Sequence, residues 1–218
     1  MILDEISILL QKGKAKDVCL LVQQALDSGY SPQDILEEGL IAGMNVIGGK
    51  FKRNEVFVPE VLIAARALNA GLEILRPILT SIGAKPIGKA LICTVQGDLH
   101  DIGKNMVKMM LEGKGIECVD LGVDVTAEDI LVAIEKYQPD LVCLSALLTT
   151  TMMMQKEIIK AIEEAGLRKI AKIMVGGAPV TESFAQEIGA DGYAADAASA
   201  ADLAVQLLQE GGANVSSS

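Results

Sequence analysis

The sequence predicts an α/β protein: an N-terminal four-helix bundle followed by a flavodoxin-like, doubly wound, five-stranded parallel sheet. Three observations carry this expectation. Apolar residues recur at helical spacing up to about Thr80 and then change to short continuous runs of strand length. Those runs, at 89–95, 116–121, 140–146, 171–175 and a weaker 190–194, alternate with helical segments near 101–113, 126–137, 152–165, 181–188 and 197–209. Strands that alternate with helices imply a parallel sheet covered on both faces, and five such units most simply give the flavodoxin-like strand order.

The helical module spans 1–80. Leu9 and Leu10 are followed by Val18, Leu21, Val22, Ala25 and Leu26 at helical spacing, and Gly29 stops that segment. Ser31-Pro32 starts the next helix, with Ser31 as N-cap and Pro32 at the first helical position. Leu36, Leu40, Met44 and Ile47 form its apolar stripe. Gly39 and Gly43, one helical turn apart, let a neighbouring helix come close. Gly48-Gly49 is expected to end this helix, a loop runs from Lys50 to Val58, and Pro59 opens a further helix to about Leu79. Two helices within the first thirty residues complete a four-helix bundle. Residues 81–88 read as a linker, 89–210 as the Rossmann-like α/β domain, and the small, polar 211–218 as a disordered tail.

Composition narrows the function classes. Half of the 218 residues are hydrophobic, but only 3% are aromatic and there is no Trp, so the core is built from Leu, Ile, Val, Ala and Met. A net charge of -10 argues against a nucleic-acid backbone or an anionic membrane as partner. No apolar stretch is long enough to span a bilayer, and Asp4 and Glu5 stand where a signal peptide would carry positive charge, which suggests a cytoplasmic protein. The four cysteines, Cys19, Cys93, Cys118 and Cys143, form no C-x-x-C pair and read as small buried hydrophobes in a reducing compartment.

In an open parallel sheet, ligands bind beyond the carboxyl ends of the strands. The unusual residues fall there. Gly97, Asp98, Leu99, His100, Asp101, Ile102 and Gly103 follow the first strand. Ser145, Leu147, Thr149, Thr150 and Thr151 lie at the end of the third, and Gly176-Gly177-Ala178-Pro179 follow the fourth. His100 is the only histidine in the chain. Asp98-x-His100 on an extended segment lets a carboxylate hold one ring nitrogen while the other binds a metal. A solvated histidine beside a helix N-terminus, with Asp98 or Asp101 as cap, is the plainer alternative. A zinc or non-haem iron site needs three or four protein ligands. A single imidazole suffices only where the metal brings its own equatorial ligands, as in a haem or a corrinoid.

Asp98-x-His100-x-x-Gly103, then Ser145-x-Leu147, then Gly176-Gly177, is similar to the cobalamin-binding signature D-x-H-x-x-G, S-x-L, G-G, with order and spacing in register. The helical module resembles the companion module of the same family through Gly39-Leu40, Gly43-Met44, Gly48, Phe51 and Phe57-Val58-Pro59-Glu60-Val61. It departs at Gly49, where many relatives carry a charged residue. The resemblance covers nearly the whole chain and points to the small corrinoid proteins of anaerobic methyltransferase systems and to the cobalamin-binding fragment of methionine synthase.

What the resemblance implies is specific. Cobalamin binds base-off, with its dimethylbenzimidazole displaced and His100 as lower axial ligand to cobalt. Asp98 holds the other ring nitrogen and Thr151 bonds Asp98. The displaced nucleotide tail runs along Ser145, Leu147, Thr149, Gly176, Gly177 and Ala178, and Ala195 and Asp196 close around its base. The helical module caps the upper face of the corrin, with Met44, Phe57 and Val61 as contacts, and swings aside about the linker. The protein is then a methyl carrier that cycles between cobalt(I) and methyl-cobalt(III), not a complete enzyme. Its partners are a substrate-specific methyltransferase, a second methyltransferase acting toward tetrahydrofolate or a thiol coenzyme, and a reductive activator. A B12-dependent sensor or regulatory module is the alternative.

Overall fold

A computed structural model describes residues 1–83 and 85–213. The chain divides into two compact units, Met1–Pro86 with Gly113–Gly115, and the remainder from Ile87.

The first unit is helical. α1 (Ile2–Gln11) and α2 (Ala15–Asp27) precede a continuous helical run made of α3 (Pro32–Asp34), a π-helical stretch (Ile35–Ile41) and α4 (Ala42–Lys52); α5 (Val58–Ser81) follows. Ser31 caps this run as expected, its Oγ accepting from the Asp34 N–H at 3.0 Å. Gly43 permits the close approach expected of it: a Cβ there would lie 3.0 Å from the Ser7 carbonyl oxygen of α1.

Two expectations fail here, each for a physical reason. Ile35 is fully buried with Leu40, Met44 and Ile47, whereas Leu36 is half-buried. The wider π-helical turn brings position 35, five residues before Leu40, onto the core face, and a strict 3.6-residue period misplaces the stripe by one. The helix also continues through Gly48-Gly49 to Lys52. Each helical glycine costs about 1 kcal/mol, but the preceding turn is anchored by buried Ile47, and the Arg53 N–H closes a further bond to the Gly49 carbonyl at 3.3 Å. Pro59 stands in the first turn of α5, where the Glu60 carboxylate accepts from the Phe57 N–H at 2.9 Å.

The second unit alternates β1 (Gly88–Val95), α6 (Ile102–Glu112), β2 (Ile116–Val125), α7 (Ala127–Tyr137), β3 (Leu141–Ser145), α8 (Met152–Glu164), β4 (Lys172–Gly176), α9 (Glu182–Glu187), β5 (Gly192–Tyr193) and α10 (Ala197–Ala213). The five strands are parallel, in the order β2-β1-β3-β4-β5, which is the expected flavodoxin-like arrangement. Thr126 opens α7 with a capping box to Asp129, and Thr181 caps α9 by accepting from the Phe184 N–H at 3.2 Å. The core joins Leu91, Val142, Leu144 and Val175 of the strands to Ile130, Ile134, Ile158 and Ile162 of the helices.

The elements differ from expectation mainly at their ends. β2 runs on to Val125, and β5 is two residues long. α10 takes in Gly211–Ala213, which the sequence places in a disordered tail. The rest of that tail, 214–218, and Ala84 of the linker lie outside the described residues. Cys93 and Cys143 are buried as expected, and burial pushes both thiols up to about 12. Cys19 and Cys118 are only half-buried.

Across the carboxyl edge of the sheet, Thr94, Ser145 and Gly176 stand in register on β1, β3 and β4. The loops that follow these strands therefore leave the sheet side by side.

Candidate functional site

Asp98 is the centre of these loops. Its side chain has no exposure to solvent. Oδ1 accepts from the His100 backbone N–H at 3.1 Å and pairs with His100 Nδ1 at 2.7 Å. Oδ2 accepts from the Leu147 N–H at 2.7 Å and from Thr151 Oγ1 at 2.6 Å. The Thr151 hydroxyl accepts from the Leu148 N–H at 3.3 Å, and its single proton goes to the anionic Asp98 at 2.6 Å in preference to the neutral Leu148 carbonyl at 3.1 Å. Burial alone would raise the pKa of this carboxyl. The bonds from Thr151, Leu147 and His100 outweigh it and hold Asp98 well below the usual carboxylate range.

An ionised Asp98 at 2.7 Å fixes the tautomer of His100. Nδ1 carries the proton and donates it to the carboxylate, and Nε2 keeps its lone pair. The ring is 52% exposed. The His100 carbonyl accepts from buried Thr94 Oγ1 at 2.9 Å, so the loop is pinned from the strand below as well. Large apolar side chains stand exposed beside it: Leu99, Ile102, Leu147 and Leu148. A Cβ at Gly103 would meet nothing within 4 Å, so this glycine borders open space. Asp101 is not part of the relay; its carboxylate accepts from Asn105 Nδ2 at 3.1 Å and its carbonyl from the Asn105 N–H, at the start of α6.

The other residues expected at the site divide. Ser145 is half-buried at the end of β3, while Thr149 and Ala178 are exposed in the loops after β3 and β4. Gly176 tolerates a Cβ, which would be 3.5 Å from the Ala194 carbonyl oxygen. Gly177 does not: at φ +132 its Cβ would fall 1.7 Å from the Ala146 carbonyl oxygen. The fold alone requires that glycine. Ala195 is exposed, and Asp196 serves as N-cap of α10, accepting from the Ser199 N–H and Oγ at 2.8 Å each. Of the three residues expected on the helical module, Met44 and Val61 are buried among apolar core residues and offer no free surface; Phe57 is 64% exposed.

Sequence reasoning misses several members of the site. Thr94 is a hydroxyl inside an apolar strand run, a signal that could have singled it out. Asp124, at the end of β2, accepts from the Gly97 N–H at 2.7 Å through Oδ1 and donates its own N–H to the Asp98 carbonyl at 3.0 Å. Lys104, 3% exposed, forks onto Asp120 of β2 at 2.6 and 2.7 Å. Buried Gln155 of α8 donates through Nε2 to the Leu144 and Gly176 carbonyls, tying the ends of β3 and β4.

Residues 88–202 match the B12 binding domain family, and residues 2–76 match a second family also described as a B12 binding domain. The chain belongs to the B12-binding family. A corrinoid protein of Desulfitobacterium hafniense is 39% identical over 95% of this chain and 97% of its own length. Trimethylamine corrinoid protein 2 of Methanosarcina acetivorans is 44% identical over 81% of this chain and 82% of its own. Among solved structures, the methanol:cobalamin methyltransferase complex MtaBC from Methanosarcina barkeri matches with a TM-score of 0.86 and 32% identity, covering 95% of this chain and 80% of that one.

The donor set of this B12-binding domain fits a corrinoid. Among the described residues no group of three or more His, Cys, Asp or Glu could hold a bare metal ion. One oriented imidazole with a free Nε2, a rim of exposed apolar side chains and the space over Gly103 suit a metal that arrives inside its own macrocycle. No helix among the described residues is long and apolar enough to cross a membrane.

Proposed function

We propose that this chain is a corrinoid methyl-carrier protein of a multi-component methyltransferase system, with His100 as the lower axial ligand. The observation that carries this reading is the Asp98–His100 pair: a carboxylate held ionised and solvent-free, 2.7 Å from Nδ1, leaves Nε2 as the one free donor atom of the only histidine. The relatives support it, being named as corrinoid proteins of monomethylamine, dimethylamine and trimethylamine systems.

When bound, the corrinoid supplies the cobalt that carries the methyl group; the chain supplies binding and orientation. His100 holds the Nδ1–H tautomer against Asp98. Thr151 and the Leu147 N–H hold Asp98 still. Leu99, Ile102, Leu147 and Leu148 cover apolar ligand surface and exclude water around the imidazole. Ser145, Leu147, Thr149, Gly176, Gly177 and Ala178 would hold a displaced nucleotide tail, with Ala195 and Asp196 around its base. Phe57, Met44 and Val61 are the proposed contacts on the helical module, with Phe57 the exposed one of the three.

The partners in this reading are a substrate-specific methyltransferase, a second methyltransferase acting toward tetrahydrofolate or a thiol coenzyme, and a reductive activator, in a cytoplasmic setting. Nothing in the fold favours the sensor alternative. The test is reconstitution of the purified chain with hydroxocobalamin, followed by reduction and exposure to a methylamine or methanol methyltransferase with its substrate. Stoichiometric corrinoid binding and substrate-dependent methylation of the bound cofactor are expected. Failure to bind a corrinoid overturns the reading.

A further inference from the structure

We infer that Asp124, on a strand that carries none of the signature residues, is a positioning residue for His100. It acts by clamping the Gly97–Asp98 segment from the β2 side. The inference rests on the corrinoid reading only for what His100 does with its free nitrogen.

The sequence of events in β2 explains why an aspartate stands there. From Ile92 to Val95 β1 advances three residues, while its partners on β2 advance five, from Asp120 to Val125. The two extra residues bulge β2 at its carboxyl end, and bulges beside sites re-aim side chains. The chain passes through Gly122 at φ +91 and Asp124 at φ +55. The second is a left-handed conformation that Asp, Asn and Gly adopt far more readily than other residues. Of these three, Asp brings the strongest acceptor. The result is a two-point clamp: Asp124 Oδ1 takes the Gly97 N–H at 2.7 Å, and the Asp124 N–H reaches the Asp98 carbonyl at 3.0 Å.

This clamp supplies what the other contacts cannot. Leu147 and Thr151 fix the Asp98 carboxylate from the β3 side, through Oδ2 alone. Thr94 fixes the His100 carbonyl. Among the described residues only Asp124 bonds the backbone on both sides of the Asp98 Cα. The Asp98 N–H holds the strand side through the Val95 carbonyl at 3.1 Å; without Asp124 the Gly97 N–H and the Asp98 carbonyl lose their partners, the turn shifts, and Oδ1 loses its aim at Nδ1. The carboxylate of Asp124 touches neither Asp98's side chain nor His100, so its role is orientation.

The single histidine makes the test direct. In apo protein labelled with 15N-histidine, long-range 15N–1H spectra report one imidazole and its tautomer without any corrinoid. The wild type is expected to show one Nδ1–H ring. Asp124→Asn keeps both an acceptor and the left-handed backbone and is expected to preserve that spectrum. Asp124→Gly keeps the backbone but removes the acceptor, and is expected to shift the ring toward an averaged mixture of tautomers. A wild-type ring spectrum in a folded Asp124→Gly variant overturns the inference.

A second measurement stands if the glycine variant does not fold. In the wild type, the Gly97 amide is expected to exchange about tenfold to a hundredfold more slowly than an open loop amide, the weight of a hydrogen bond to a charged acceptor. An unprotected Gly97 amide also overturns the inference. Neither measurement uses a corrinoid, so a chain that holds its imidazole as described yet binds no cobalamin defeats the proposed function and leaves Asp124 in place.

Discussion

Asp98 carries a charge with no exposure to solvent, and it keeps that charge because hydrogen-bond donors from its own loop and from the loop after β3 meet it. Its pKa is depressed on folding, so its contribution to stability is complete above the unfolded carboxyl value, about pH 4, and is lost as pH falls below that toward the folded value. Asp98→Asn should therefore be less stable than wild type by about 1–3 kcal/mol at neutral pH, because one amide group must face donors. The gap should narrow below about pH 4, as chemical denaturation across a pH series would show. Thr151→Val removes the hydroxyl donor at constant shape and should cost about 1.5–3 kcal/mol, whereas Thr151→Ser should recover most of it. The Asp98–His100–Gly103 core of the site was legible in the sequence because its members lie within six residues and their chemistry has few other uses. Asp124 was not, because its partners are backbone groups, which leave no mark in a residue pattern, and Thr94 was marked only as a lone hydroxyl in an apolar run.

At the scale of elements, the turns at the carboxyl edge carry the site and the ion pair behind it holds them in place. Lys104 of α6 is almost fully buried, while its partner Asp120 of β2 is partly exposed and also near Lys108. The two truncations should then differ. Asp120→Ala leaves a buried ammonium with only the neutral Asn105 Oδ1 at 2.9 Å and should cost about 3 kcal/mol, and Lys104→Met should cost less because Asp120 keeps water and Lys108. Glycines at this edge also differ in kind. Gly177→Ala should fail to fold stably, since no relaxation of a side chain clears a backbone oxygen 1.7 Å away. Gly103→Ala should leave stability within about 1 kcal/mol of wild type and lower corrinoid affinity; equilibrium unfolding and cobalamin titration measure the two effects. The signature glycines look alike in the sequence, and only the distances separate the one the fold requires from the one that opens space.

For the molecule as a whole, the change of hydrophobic period near residue 89 was enough to read a helical unit and a parallel α/β unit, because strands buried on both faces write continuous apolar runs. What stayed hidden were departures from regular geometry: the π-helical stretch at Ile35–Ile41, the helix that persists through Gly48-Gly49, and the bulged end of β2. Each is a place where tertiary packing overrides local propensity. A ligand that binds the folded chain should stabilise it by about 2.7 kcal/mol at a hundredfold excess over its Kd, so thermal unfolding should move upward on titration with cobalamin. The most direct test of the central claim uses the single histidine again. The chain, labelled with 15N-histidine and loaded with cobalamin reduced to the paramagnetic cobalt(II) state, is examined by electron paramagnetic resonance beside an unlabelled sample. If His100 Nε2 is the axial ligand, the threefold nitrogen splitting of the unlabelled sample becomes twofold on labelling. If the threefold splitting persists, the cofactor's own base occupies the axial position and the role assigned to His100 is wrong.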